Sequence, residues 1–174
     1  MVAKEKNHLI TRVNDFTKKI HECINTKNAI VIKHFWQDHA DKMQVLLVAL
    51  NRAGMKKELA AFDHTVNNEL YKTVLINKSI RLAKDMGKAF AEKAIDAGKI
   101  KNFEKRGVKI ELEMKRMGFT REANMHSSLL RLHIKEEKKE IASRVKCKHS
   151  VGFFEEAKDK GTDPREPSQP KRKI

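Results

Sequence analysis

The chain has 174 residues, 40 % of them apolar, with 38 Lys and Arg against 23 Asp and Glu for a net charge of +15. That apolar fraction excludes a disordered polyelectrolyte, and the length allows one domain with a substantial core. The cation excess calls for an anionic partner, nucleic acid first and an anionic membrane surface second, while no run is long or apolar enough to cross a bilayer.

All three prolines (Pro164, Pro167 and Pro170) lie near the C-terminus. Everything before them is free of the residue that removes a helical hydrogen bond and clashes with the preceding turn. Ala, Leu, Lys, Glu, Met and Arg dominate, and these are good helix formers, so the chain reads as all-α. Leu9, Val13, Phe16, Ile20 and Cys23 alternate steps of four and three, one apolar stripe on a first helix. Asn25 and Asn28 punctuate the next boundary. Ile32, Phe35, Trp36, Ala40, Met43, Leu46, Leu47 and Leu50 continue the helical spacing, as one helix or as two divided at Gln37-Asp38-His39, with a stop at Ala53-Gly54.

A long helical region follows, carrying Leu59, Phe62, Val66, Leu70, Val74, Ile80, Met86 and Phe90. Its length predicts a break near Asn77-Lys78-Ser79 or at Gly87, and Ala97-Gly98 reads as a second stop. In VKIELEM, residues 108–114, apolar residues alternate as in a strand, but Phe103, Gly107, Ile110, Met114 and Met117 fall at helical spacing. A lone strand would have no partner, so helix is expected. Gly118-Phe119 is a third joint, and Thr120 is the expected N-cap of a last long helix or pair of helices over 120–146. Beyond Gly152 the sequence turns polar and ends in Lys171-Arg172-Lys173. A helical domain over 1–151 and a polar basic tail over 152–174 are therefore expected.

Three apolar stretches end at comparable joints: MQVLLVALNRAG at Gly54, GKAFAEKAIDAG at Gly98 and HSSLLRLHIKEE at Glu137. With LEMKRMGFTREANMHSSLL, residues 112–130, they resemble the pentatricopeptide repeat family, whose units open on an apolar helix, join through Ala-Gly and close on Met-x-x-x-Gly. The resemblance spans roughly residues 40–140. It departs from the family pattern at the opening aromatic, which is Met43, Gly87 and His126 in turn, and at the proline after the close, which is Arg121. It implies stacked antiparallel helical hairpins forming a short α-solenoid, RNA as partner, and a place in a ribonucleoprotein such as an organellar ribosome, with mitochondrial or other organellar residence; otherwise the chain reads as cytoplasmic. By position in the first helix of each unit, it implies Gln44, Lys88 and Ser127 as base-facing side chains.

Residues 99–149 hold fifteen cations against seven anions. Lys99, Lys101, Lys105, Arg106, Lys109, Lys115, Arg116 and Arg121 form the main candidate for RNA contact, because Lys and Arg displace the counterions condensed along a phosphate backbone. Lys105, Lys109 and Arg116 fall on one side of a helix, with Lys101 a turn earlier. Lys135–Glu140, KEEKKE, reads as an exposed salt-bridged face. His34/Asp38 and Cys147/His149 are incomplete as metal sites, and no cofactor is implied. No Gly-rich phosphate loop, paired nucleophile and base, or catalytic carboxylate pair is present, so an enzyme is not expected. Gly118-Phe119-Thr120 also resembles the turn of a helix-turn-helix, which keeps a DNA-binding accessory protein open beside a helical adaptor for a protein partner.

Overall fold

A computed structural model describes residues 3–91 and 96–158, with side chains described as far as Ser143. Among the described residues there are helices and turns and no strand. Helix α1 spans Ala3–Asn25 and α2 Ala29–Arg52. One continuous helical rod follows, made of α3 (Lys56–Asp63), a π-helical stretch (His64–Tyr71) and α4 (Lys72–Ala91). Helices α5 (Ala97–Arg116) and α6 (Thr120–Lys158) complete the chain.

The joints are chemically specified. After α1, Lys27 takes a left-handed φ of 51°. Asn28 then caps α2, its side-chain oxygen accepting from the N–H groups of Ile30 and Val31 at 3.0 and 3.4 Å. Helices α2 and α5 end in the same device. Gly54 and Gly118 adopt φ of 69° and 79°. The residue after each glycine donates back into the last turn, Met55 to Leu50 at 3.1 Å and Phe119 to Met114 at 2.9 Å. Each donor's side chain is buried, as is that of the residue it bonds. Glycine reaches this conformation without the Cβ clash, which is why both helices stop where they do.

The two compact units are Met1–Leu132 and His133–Ile174. In the first, α1 and α2 pack on each other and on the α3–π segment. Their core runs from Leu9, Val13, Ile20 and Cys23 through Ile32, Met43, Leu46 and Leu50 to Phe62, Val66, Leu70 and Val74. Phe62, Val66, Leu70 and Val74 recur at every fourth residue. An α-helix with 3.6 residues per turn would rotate that spacing off the core, and the wider i→i+5 turns of the π stretch hold it in place. Past the π stretch the buried stripe is Leu75, Leu82 and Met86, and it meets Ile100, Phe103, Ile110 and Met114 of α5 as α4 packs on α5. The opening of α6 closes over this pair through Phe119 and Ala123. In the second unit the described side chains belong to the continuation of α6, where Ile134 and Glu137 are buried.

Several expectations are revised. Helix α2 passes unbroken through Gln37-Asp38-His39, and α4 through Asn77-Ser79 and Gly87, because their apolar faces continue across those residues. Ile80, expected inside, is 48 % exposed. Ala97-Gly98 opens a helix instead of ending one: Asp96 is the N-cap and accepts from the Lys99 N–H at 2.7 Å. Thr120 is the first residue of α6, not its cap. No stop falls at Glu137, since α6 runs on to Lys158. Glu137 is buried, not part of an exposed face, and its Oε1 has no hydrogen-bond partner among the described residues. Residues 92–95 of the second expected unit, and 159–174 of the expected tail, lie outside the described residues.

Candidate polyanion-contact face

Helix α5 is two-sided. Ile100, Phe103, Gly107, Ile110 and Met114 turn inward. At 100° per residue the opposite side carries Lys101, Lys105, Lys109 and Arg116, all exposed, with Val108 and Leu112 among them. Helix α4 adds Arg81, Lys84 and Lys88 at i, i+3 and i+7, also exposed. The seam between the helices is closed by Arg106 Nη2 to Asp85 Oδ2 at 2.8 Å and Lys78 Nζ to Glu113 Oε2 at 3.2 Å. These two bridges fix which flank of α4 faces which flank of α5, and they bring Arg81, Lys84 and Lys88 to the same side as the α5 cations.

Helices α4 and α5 together carry twelve Lys and Arg against four Asp and Glu. The acids are engaged within the protein. Asp85 holds Arg106. Glu111 holds Lys115 at 2.7 Å, and that hydrogen bond, opposed by partial burial and helped by Ser127, keeps its carboxyl below the ordinary range. Burial pushes the Glu113 carboxyl up, but the Tyr71 hydroxyl, donating at 2.9 Å, and the Lys78 ammonium outweigh it and hold it low. Glu104 also has a partner. Lys101, Lys105, Arg116, Arg81, Lys84 and Lys88 form no ion pair among the described residues, so their charge faces outward.

The structure sorts the expected contact residues. Lys101, Lys105, Lys109 and Arg116 come together as expected. Lys99 is exposed in the first turn of the same helix. Arg106 and Lys115 are exposed, but each already carries an internal carboxylate. Arg121 is exposed on α6, where its charge joins the dominant Lys72 hydrogen bond in lowering the Glu122 carboxyl. Lys88 belongs to the α4–α5 face. Gln44 does not: it lines a shallow hollow of about 400 Å³ on α2 with Val45, Val48, Ala49 and Arg52. Ser127 is corrected outright. It is buried and hydrogen-bonded to Glu111, so it faces no base. Arg81 and Lys84 were missed, although their 3.6-residue spacing with Lys88 is plain once α4 is taken as unbroken.

No aromatic ring joins the face. Phe103 is buried, stacks edge to face on Phe90 at 6.3 Å, and sits under the Arg106 guanidinium at 5.8 Å. The surface therefore offers charge without a stacking platform. Among the described residues no three His, Cys, Asp or Glu are grouped to hold a metal ion, and no helix is long and apolar enough to cross a membrane. Compared with protein-family models, with curated proteins and with solved structures, the chain matches none.

Proposed function

We propose that this protein is an RNA-binding helical-repeat protein, a structural member of a ribonucleoprotein assembly such as an organellar ribosome, and that it holds RNA through phosphates without reading bases. One observation carries the reading. Cations of α4 and α5 share one exposed side, while Asp85, Glu111 and Glu113 are satisfied by their own protein partners. Neutralised acids beside outward cations leave a field that an external polyanion can complete. Phosphate contacts position a nucleic acid without carrying sequence information, and the lack of an exposed ring on the α4–α5 face fits that mode. The resemblance to helical repeats of RNA-binding proteins points the same way.

Filter binding of structured RNA across a salt series tests this. Converting Lys105, Lys109 and Arg116 to Glu is expected to abolish retention with the helical content intact, and unchanged retention would overturn the assignment. A second reading, a helical adaptor for a protein partner, is favoured by the exposed apolar side chains of α4 and α6. They form a different surface, so one molecule accommodates both.

A further inference from the structure

Two contacts define the line along which α4 meets α6: Lys72 Nζ to Glu122 Oε1 at 2.5 Å, and Ser79 Oγ to His126 Nδ1 at 2.6 Å. On the inner side of that line lie buried Leu75, Leu82 and Ala123. The outer side should be polar if it faced only water. Instead α4 presents Ile76, Ile80 and Ala83, and α6 presents Met125, Leu129 and Leu132. Ile80 is 48 % exposed, Met125 61 %, and Leu129 and Leu132 52 % each.

Both sets have the same spacing, i, i+4 and i+7. That is the spacing of successive core positions in a coiled-coil seam. Two such seams, one on each wall of a groove, present the holes into which the knobs of one more helix fit. Single exposed leucines are ordinary on a protein surface, but two aligned rows along one groove mark an interaction site.

We propose that the α4–α6 groove docks an amphipathic α-helix of a protein partner, apolar on the inserted face and acidic on its flanks. The charge of the groove selects the acidic flanks. Lys84 stands on the α4 rim and Arg121 on the α6 rim, both exposed. The acid on the contact line itself, Glu122, is held by Lys72. A second copy of this chain is a poor occupant, because it would bring another net charge of +15 against the first. The apolar rows of the groove share no residue with the cations assigned to RNA; Lys84 alone borders both surfaces, and the variants that test the groove leave it in place.

The test is fluorescence anisotropy of the full chain with a labelled peptide of about three heptads, Leu at the core positions and Glu on the flanks. Saturable binding is expected, at least tenfold tighter than for a scrambled peptide of the same composition or a Lys-flanked peptide with the same apolar pattern. Ile80→Glu and Leu129→Glu, both at exposed positions, should each weaken binding at least tenfold. Val45→Glu, on the outer face of α2, should leave it unchanged. RNA retention measured on Leu129→Glu, which lies on α6 away from the α4 cations, should not move, and this separates failure of this site from failure of the RNA face. Equal binding of the scrambled peptide, or no effect of the groove variants, overturns the proposal. So does a sedimenting dimer dissolved by Leu129→Glu, which would give the groove to a second copy.

Discussion

His126 Nε2 lies 3.1 Å from the backbone oxygen of Gly107, and because a carbonyl only accepts, the imidazole carries a proton on that nitrogen. In the neutral ring Nδ1 then accepts from the Ser79 hydroxyl at 2.6 Å. One buried ring thus ties α4, α5 and α6 together. The approach of α6 depends on residue 107 having no side chain, since a Cβ there would run into Leu130. Replacing a helical glycine by alanine normally gains about 0.5–1 kcal/mol. At Gly107 the Leu130 side chain would have to turn away and lift off α5, and overpacking of this kind costs about 1–3 kcal/mol. Gly107→Ala is therefore expected to lower stability in urea. Gly87→Ala, where a Cβ meets nothing within 4 Å, is expected to raise it by about 0.5–1 kcal/mol. Opposite signs at two helical glycines are the result to look for.

The Ser79–His126 bond should be measurable as a coupling. Removing either partner leaves the other polar group short of a bond in a poorly hydrated place. In a double-mutant cycle of Ser79→Ala and His126→Gln, an interaction energy of about 0.5–1.5 kcal/mol is expected from denaturation midpoints. Strict additivity would mean that the contact adds nothing to the joining of α4 and α6.

Tyr71 is the sole tyrosine, and its hydroxyl donates to Glu113 at 2.9 Å. Burial first, and the Glu113 carboxylate second, raise its pKa from 10.0 to about 12. The fold favours the neutral phenol, so this contribution to stability is complete below pH 10.0 and is lost as pH rises through about 12. Ultraviolet absorbance of the phenolate should appear near pH 12 in the wild type. In Glu113→Gln it should appear lower, though still above 10.0 because the burial remains. The Trp36 ring lies 4.5 Å from that of Tyr71, so tryptophan fluorescence should follow the same titration.

Acid should loosen the same region from the other direction. Glu111, Glu113 and Glu122 all sit below the ordinary carboxyl value of 4.5, through Lys115, through Tyr71 and Lys78 against burial, and through Lys72. Depressed folded-state values stabilise above 4.5, and that stabilisation drains as pH falls through the lower folded-state values. Denaturation midpoints should be flat near neutral pH and drop below 4.5. Glu113→Gln should start from a lower midpoint at neutral pH and show a shallower acid limb.

Much of this was legible from residue order. The stripe Leu9, Val13, Ile20 and Cys23 and the joints at Gly54 and Gly118 rest on local rules of periodicity and left-handed glycine, which need no tertiary information. The outward placement of Lys101, Lys105, Lys109 and Arg116 follows from the same 100° arithmetic. Ile80 was misplaced because the π stretch resets the helical phase, and nothing in HTVNNELY announces i→i+5 bonding. Ser127 was misplaced because its environment is made by Glu111 of another helix. Gly98 looked like a stop, when Asp96 two residues earlier already marked a start.

The outward cations should be separable from the structural ones by salt and by stability. Each phosphate contact removed lowers the slope of log K against log salt by about 0.7–0.9. Reversing Lys105, Lys109 and Arg116 should therefore cut the slope for structured RNA by about 2–3, read at low salt where the α4 cations still hold some RNA, and leave the thermal midpoint in place. Reversing Arg81, Lys84 and Lys88 should do the same, since α4 presents them on the side that α5 shares. Arg106→Ala should behave differently: it frees Asp85 and uncovers Phe103, so its main effect is a lower midpoint, with a slope change of no more than about one contact. If the two triple reversals leave the slope untouched while Arg106→Ala lowers it most, the RNA lies across the helix seam and not on the outward faces.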